Sequence, residues 1–441
     1  MRILHYTLGL PPVRSGGLTK YAIDLMKEQS KNDEVIHLFP GKIDFLNTHT
    51  RISQIRKRND HISHFQIINS LPLPLFRGIK EPIDFMKRVP KKVYLDFLTE
   101  VKPNVIHIHT LMGLHSEFFE SAKALGIKLV YTTHDYFGIC PTINLYKEHE
   151  STNCNNYKNG KGCADCSLHA MGTKALLLTQ TPFYPTIKKL KKLIPPKKPS
   201  KLSTRKELES NNFNENRSEE YVTLRKYYLD ILMKIDYFHF NSVVTMQVYK
   251  EYLPEIEGKV VNITHSGIMK ANVEKSNYSK IRIGYLGPYK EHKGFFILLE
   301  AFKLLASDQF ELHLFGDSAN LEPMESVFTH GSFRSDQLED IFTNLDVLVV
   351  PSVWKETFGF VALEGLSFGT PVIISENVGS KDLVLEKFGW TVDSNSSSEL
   401  YKLLKSLNKE VLLEKHLNIT RDYNVKMIEN HAQDIMTDVY K

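Results

Sequence analysis

Short apolar runs suited to buried strands recur along this chain, most of them followed by segments with helical spacing. That alternation restricts the fold more than any other feature. Residues 2–7, 35–40, 105–110 and 128–133 read as strands, and residues 18–28 as the first crossover helix. Apolar strands separated by helices build parallel sheets covered on both faces, because a parallel connection needs a helix-length crossover. A second series starts at residues 281–287 and continues through 311–316, 347–350 and 371–375. A helical, polar middle separates the two series. The pattern predicts an α/β protein with two doubly wound domains facing a cleft, over residues 1–278 and 279–424. In the last segment, residues 425–441, the apolar positions Val425, Ile428, Ala432, Ile435 and Val439 form a helical stripe.

Composition agrees with two packed cores: 441 residues, of which 42% are hydrophobic. A formal net charge of +5 is mild and speaks against a dedicated nucleic-acid binder. The N-terminal apolar run is interrupted by His5, Pro11 and Pro12, so it does not read as a signal peptide. No stretch approaches the roughly eighteen apolar residues of a spanning helix. A cytoplasmic protein is expected.

The chemistry concentrates in the run Pro351-Ser-Val-Trp-Lys-Glu356-Thr-Phe-Gly-Phe-Val-Ala-Leu-Glu364. Residues 347–350 suit a buried strand and residues 360–368 a helix, with Gly359 at the turn. Ligands of parallel sheets bind at the carboxyl ends of strands, where free helix N–H groups favour anions. Two carboxylates eight residues apart at such a turn suit hydroxyl recognition, although Glu356 as a helix cap and Glu364 as a solvated side chain would read the same from spacing alone. Together with Phe342-Thr-Asn-Leu-Asp-Val-Leu-Val-Val-Pro-Ser before it and Gly365-Leu-Ser-Phe-Gly-Thr-Pro-Val-Ile-Ile-Ser375 after it, the run closely resembles the retaining glycosyltransferases of family 4.

The resemblance implies the GT-B architecture, two Rossmann-like domains about a central cleft, and sugar transfer from a nucleotide-sugar donor. It places Glu356, with Thr357, Phe358 and Gly359, at the donor sugar and Glu364 at the ribose of the nucleotide. It implies that the terminal segment crosses back onto the N-terminal domain. Gly16 and Gly17, in the turn after the first strand, correspond to the family's glycine loop, where amides approach a diphosphate. Gly287-Pro-Tyr-Lys290-Glu-His-Lys293-Gly294 occupies the donor-phosphate loop, and Lys293 matches the lysine that neutralises the leaving diphosphate. The family's arginine after the first glycine is replaced here by Pro288. Lys290 is the substitute, as a point charge without bidentate geometry. His134, at the end of another strand, resembles the histidine beside the donor sugar. His107 and His109 lie within one strand and read as packing or cleft-lining. Residues 262–267, including His265, resemble the structural entry to the second domain.

No Asp-x-Asp occurs in the chain, so no catalytic metal is expected. The family's same-face displacement with retention, in which the departing phosphate takes the acceptor proton, is the implied mechanism. All four cysteines, Cys140, Cys154, Cys163 and Cys166, fall in one window ending in Cys-x-x-Cys. A structural zinc suits that set, with separate thiols or an iron–sulfur cluster as alternatives. The basic stretch 181–206 mixes lysines with Phe183, Tyr184, Ile187, Leu190, Leu193 and Ile194. It suits an anionic membrane surface or a solvated linker. The expected partners are a nucleoside-diphosphate-sugar donor and a glycan or lipid-linked acceptor of bacterial surface polysaccharide synthesis. A catalytically weakened partner protein, or an epimerase of the same fold, is the alternative.

Overall fold

A computed structural model describes residues 1–55, 61–75, 77–181, 215–270, 274–276, 278–317 and 321–441. The first sheet begins with β1 (Arg2–Tyr6), β2 (Glu34–Pro40), β3 (Arg51–Gln54), β4 (Ser63–Ile68), β5 (Val105–Ile108) and β6 (Lys128–Thr132). After β6 the chain forms a small hairpin, β7 (Tyr146–Lys147) and β8 (Thr152–Asn153), and returns to the first sheet as β9 (Tyr237–Phe240) and β10 (Gly258–Val260). The strand order is β10-β9-β6-β5-β1-β2-β4-β3, parallel throughout except where β3 runs antiparallel to β4. The second sheet contains β11 (Ile281–Leu286), β12 (Phe310–Phe315), β13 (Val327–Gly331), β14 (Val347–Val350), β15 (Val372–Ser375) and β16 (Gly389–Val392). Its order, β13-β12-β11-β14-β15-β16, is wholly parallel.

The central strands are buried on both faces, which is why they read as continuous apolar runs. Histidines interrupt them in a pattern that the register explains. His64, His37, His5 and His107 are consecutive partners across β4, β2, β1 and β5. Residues in register on parallel strands share a face, so these four side chains form a buried row across the first sheet. The helix Gly17–Gln29 covers part of that sheet, entered through Gly16 at a φ of 118° that favours glycine.

The terminal segment forms a helix, Ile428–Asp434, that runs on as a wider turn over Ile435–Val439. It lies on the first sheet. Ile435 and Val439 are fully buried, the Tyr21 hydroxyl meets His431 at 2.8 Å, and Lys259 pairs with Asp438 at 2.9 Å. These residues join one apolar cluster with Ile3, Tyr21 and Leu25 of the first domain and with Leu348, Ala362 and Leu363 of the second. The strand ends after β1 and β6 therefore face those after β11 and β14. No helix among the described residues is long and apolar enough to cross a membrane. Residues 182–206 of the basic stretch lie outside the described residues.

Candidate active site

Two loops of the second sheet form one wall of the cleft. The loop after β11 ends at Gly294, whose φ is 70° and where a Cβ would stand 1.8 Å from the Pro351 carbonyl oxygen. Only glycine lets this loop pack against the start of the loop after β14. The packing brings Lys293 to Glu356: Nζ donates to Oε1 at 2.7 Å, while the Ser352 hydroxyl donates to Oε2 at 2.5 Å. Lys293 Nζ also lies 5.0 Å from the centre of the Trp354 ring. Burial pushes the Glu356 carboxyl up, but Lys293, Ser352 and His292 together outweigh it and hold the pKa below the usual carboxylate value. Glu356 is thus ionised, with both oxygens occupied.

Gly359, with a φ of 85°, makes the turn into the helix Phe360–Ser367. Glu364 sits on that helix and meets His265 across the interdomain cleft, Nε2 to Oε1 at 3.3 Å. The Gly267 amide donates to His265 Nδ1 at 3.1 Å, so in the neutral ring the proton sits on Nε2, facing the carboxylate. Glu364 Oε2 has no protein partner among the described residues. His265 is a candidate site residue that sequence reasoning assigned to structure; its loop motif carried no signal of the pairing.

The first domain supplies the opposite wall. The Thr357 hydroxyl donates to the His134 carbonyl at 2.9 Å, and the Ser242 hydroxyl to the Thr357 carbonyl at 2.6 Å. A Cβ on Gly17 would stand 3.1 Å from the Phe360 ring, which places the first glycine turn directly against the donor-side helix. Gly16 has open space around it. Lys290 is exposed on its loop, whereas the Phe358 side chain is buried in the interdomain apolar cluster, leaving only its backbone for a ligand. The Tyr285 hydroxyl donates to the Pro288 carbonyl at 2.7 Å. His134 is half-buried, stacked on His109 with ring centres 5.4 Å apart, and burial pushes its pKa down to about 3. It is a neutral imidazole.

The cysteine window forms an arm after β6. It reaches the second domain through Asn153, whose Nδ2 donates to the Val353 carbonyl at 2.9 Å and whose Oδ1 accepts from the Lys355 amide at 3.2 Å. Cys140, Cys154, Cys163 and Cys166 carry free thiols close enough for Cys140 to oppose ionisation of the other three. The donor type suits zinc, but the four sulfurs are not closed to coordination distance. Among the described residues the group whose ligand atoms converge within 4.8 Å is His5, His107 and His109.

Comparison with known proteins decides the family of the second domain: residues 270–424 match the model of glycosyl transferases group 1. Residues 270–424 are similar to a group 1 glycosyltransferase domain. The matched span contains the Lys293–Glu356 pair and Glu364. An uncharacterized 41.2 kDa protein in the cps region of Klebsiella pneumoniae is 30% identical over 145 residues, covering 32% of this chain and 40% of that protein. An uncharacterized 42.6 kDa protein from the same region is 21% identical over 312 residues, covering 69% of this chain and 66% of that protein. The chain thus spans less than two thirds of the length of these relatives. Among solved structures, Anabaena HepE in complex with UDP superposes with a TM-score of 0.57 at 13% identity, over 100% of both chains. A glycosyltransferase from Rickettsia africae gives 0.59 at 13% identity, over 100% of this chain and 97% of that one. The chain as a whole therefore has the GT-B fold.

Proposed function

We propose that this chain is a retaining glycosyltransferase that moves a sugar from a nucleoside-diphosphate donor to a glycan or lipid-linked acceptor. The observation that carries the reading is the Lys293–Glu356–Ser352 cluster at the carboxyl ends of β11 and β14, opposite neutral His134. Lys293, Lys290 and the amides of the glycine turns would meet the diphosphate charge. Glu356, ionised and held from two sides, would orient hydroxyls of the donor sugar, and the free oxygen of Glu364 the ribose. Glu356 is a poor nucleophile with both oxygens engaged, which favours same-face displacement. In that step the acceptor oxygen bonds to the anomeric carbon, the bond from that carbon to phosphate breaks, and the acceptor proton passes to the leaving phosphate.

HepE has been solved in complex with UDP and with UDP-glucose, and a Propionibacterium freudenreichii relative, 23% identical over 189 residues, is a phosphatidyl-myo-inositol mannosyltransferase. These names favour a nucleotide-sugar donor. The cps-region relatives favour a role in surface polysaccharide synthesis. Attachment to an anionic membrane rests on the basic stretch alone. Zinc, if held by the four cysteines, would stabilise the arm and take no part in the transfer.

Thermal shift with UDP-, GDP-, ADP- and dTDP-sugars tests the reading, with Lys293→Ala and Glu364→Ala as controls. Stabilisation by one donor class, lost in both variants, is expected, and the anomeric configuration of the product reads retention directly. Folded protein that responds to no donor would instead be a non-catalytic partner.

A further inference from the structure

The buried histidines of the first sheet form a second system, separate from the donor loops, which ends at His134. His239 Nε2 lies 2.8 Å from the Val261 carbonyl, an obligate acceptor. In a neutral ring that nitrogen therefore carries the proton, and Nδ1 accepts from the Thr132 hydroxyl at 2.8 Å. Thr132 then accepts from His107 Nε2 at 2.5 Å, so His107 Nδ1 must accept from the Tyr440 hydroxyl at 2.7 Å. Tyr440 in turn accepts from Gln29 Nε2 at 3.3 Å, which turns Gln29 Oε1 toward His5 Nε2 at 2.8 Å. His5 Nδ1 accepts from His109 Nε2 at 3.0 Å, and His109 Nδ1 from His134 Nε2 at 3.2 Å. One carbonyl thus dictates the direction of every bond in a line of eight.

We propose that this one-way chain of hydrogen bonds locks His134 in the tautomer with the proton on Nε2, and that Tyr440, near its midpoint, is a positioning residue for the cleft. The consequence is chemical. His134 Nδ1 is left as a lone-pair nitrogen with no protein partner among the described residues, on the chain's half-buried member at the cleft. It accepts a hydrogen bond from a substrate hydroxyl and donates none. That use of the lone pair rests on the transferase reading, whereas the tautomer itself does not.

Burial holds the line to one proton per ring. It pushes His5 and His134 down to about 3 and His239 to about 4, and drives His107 and His109 well below the ordinary value. The same line argues against a metal at His5, His107 and His109, since all their ring nitrogens already have protein partners. Tyr440 joins by hydrogen bonds two halves that otherwise meet only through ring contacts: His239, Thr132 and His107 on one side, Gln29, His5, His109 and His134 on the other. It comes from the last turn of the chain, so docking of the terminal helix completes the line.

The test is nitrogen NMR on the full chain labelled with 15N-histidine, with the His134 signals assigned by His134→Gln. Wild type is expected to show His134 protonated on Nε2 alone, without any donor present. Tyr440→Phe keeps the ring and removes the hydroxyl, which frees Gln29 to turn over. Both tautomers of His134 are then expected, with kcat/KM lowered about tenfold, the loss of one well-placed hydrogen bond. A wild-type His134 protonated on Nδ1 overturns the proposal, as does an unchanged His134 pattern in Tyr440→Phe. If the tautomers behave as stated but no donor binds, the transferase reading fails and the hydrogen-bond line stands.

Discussion

Asp135 follows His134 at the mouth of the cleft and accepts a hydrogen bond from the Phe137 amide at 2.9 Å. Burial nevertheless pushes its carboxyl up from 3.8 to about 7. The folded chain therefore keeps this proton up to about pH 7, while the unfolded chain releases it near 4. Between those values the folded state binds more protons, so the stability contributed by this group is full below 3.8 and lost as pH rises toward 7. The slope is at most about 1.4 kcal/mol per pH unit. Asn at this position preserves the acceptor oxygen and cannot ionise. Asp135→Asn is expected to gain melting temperature relative to wild type as pH rises from 5 to 8. A difference that does not vary with pH would show that the carboxyl is not buried as a neutral acid.

At the scale of elements, the arm between β6 and β9 couples the two domains. Its contacts with the donor loops include the Tyr146 ring, centred 5.9 Å from that of His292, and Asn153, which clamps the backbone on both sides of Trp354 beside the Lys293–Glu356 pair. Each lost hydrogen bond is worth about 1 kcal/mol. Asn153→Ala removes two of them and is therefore expected to raise the donor KM about thirtyfold with little change in melting temperature. Zinc chelation or Cys163→Ser, if the cysteines hold the arm in place, moves KM in the same direction. A fall in melting temperature with KM unchanged would make the arm a stabilising element only. Nothing in the spacing of Cys140 to Cys166 pointed to Asn153, because the residue matters through a contact some two hundred positions away.

On the scale of the whole molecule, the terminal segment belongs energetically to the domain it crosses to. Ile428, Ile435, Val439 and Tyr440 are each at most 6% exposed against the first sheet and its covering helix. Burying such side chains contributes about 1.5–3 kcal/mol each, so their sum approaches the 5–15 kcal/mol that holds a typical domain folded. A chain ending at residue 424, just past the second domain's last helix, is expected to be insoluble or to melt more than about 10 °C lower. A soluble truncation with unchanged melting would show that the crossing contributes little.

Much of the architecture was legible in the residues themselves. Apolar runs of strand length separated by helical patterns leave a parallel sheet as the economical way to satisfy the backbone; the strands named from periodicity match observed ones, whereas β3, β4, β9, β10, β13 and β16 were not named. Glu356, Glu364, Lys293 and His134 could be named as candidates because strand ends and their turns are local, and a local motif names its own residues. The pairing of Glu364 with His265, the second hold on Glu356 from Ser352, and the clamp from Asn153 could not. Each depends on where a distant loop comes to rest. The clearest case is the histidines: His5, His107, His109, His134 and His239 come from distant parts of the sequence, and nothing in it joins them. Parallel register places them side by side, and the returning terminal helix sets Tyr440 into the remaining gap. Sequence determined which faces of which strands would be buried, because side-chain periodicity is a property of a few consecutive residues. Only the tertiary structure decided which buried polar groups would satisfy one another, because a hydrogen bond requires a partner within about 3 Å wherever in the chain that partner originates.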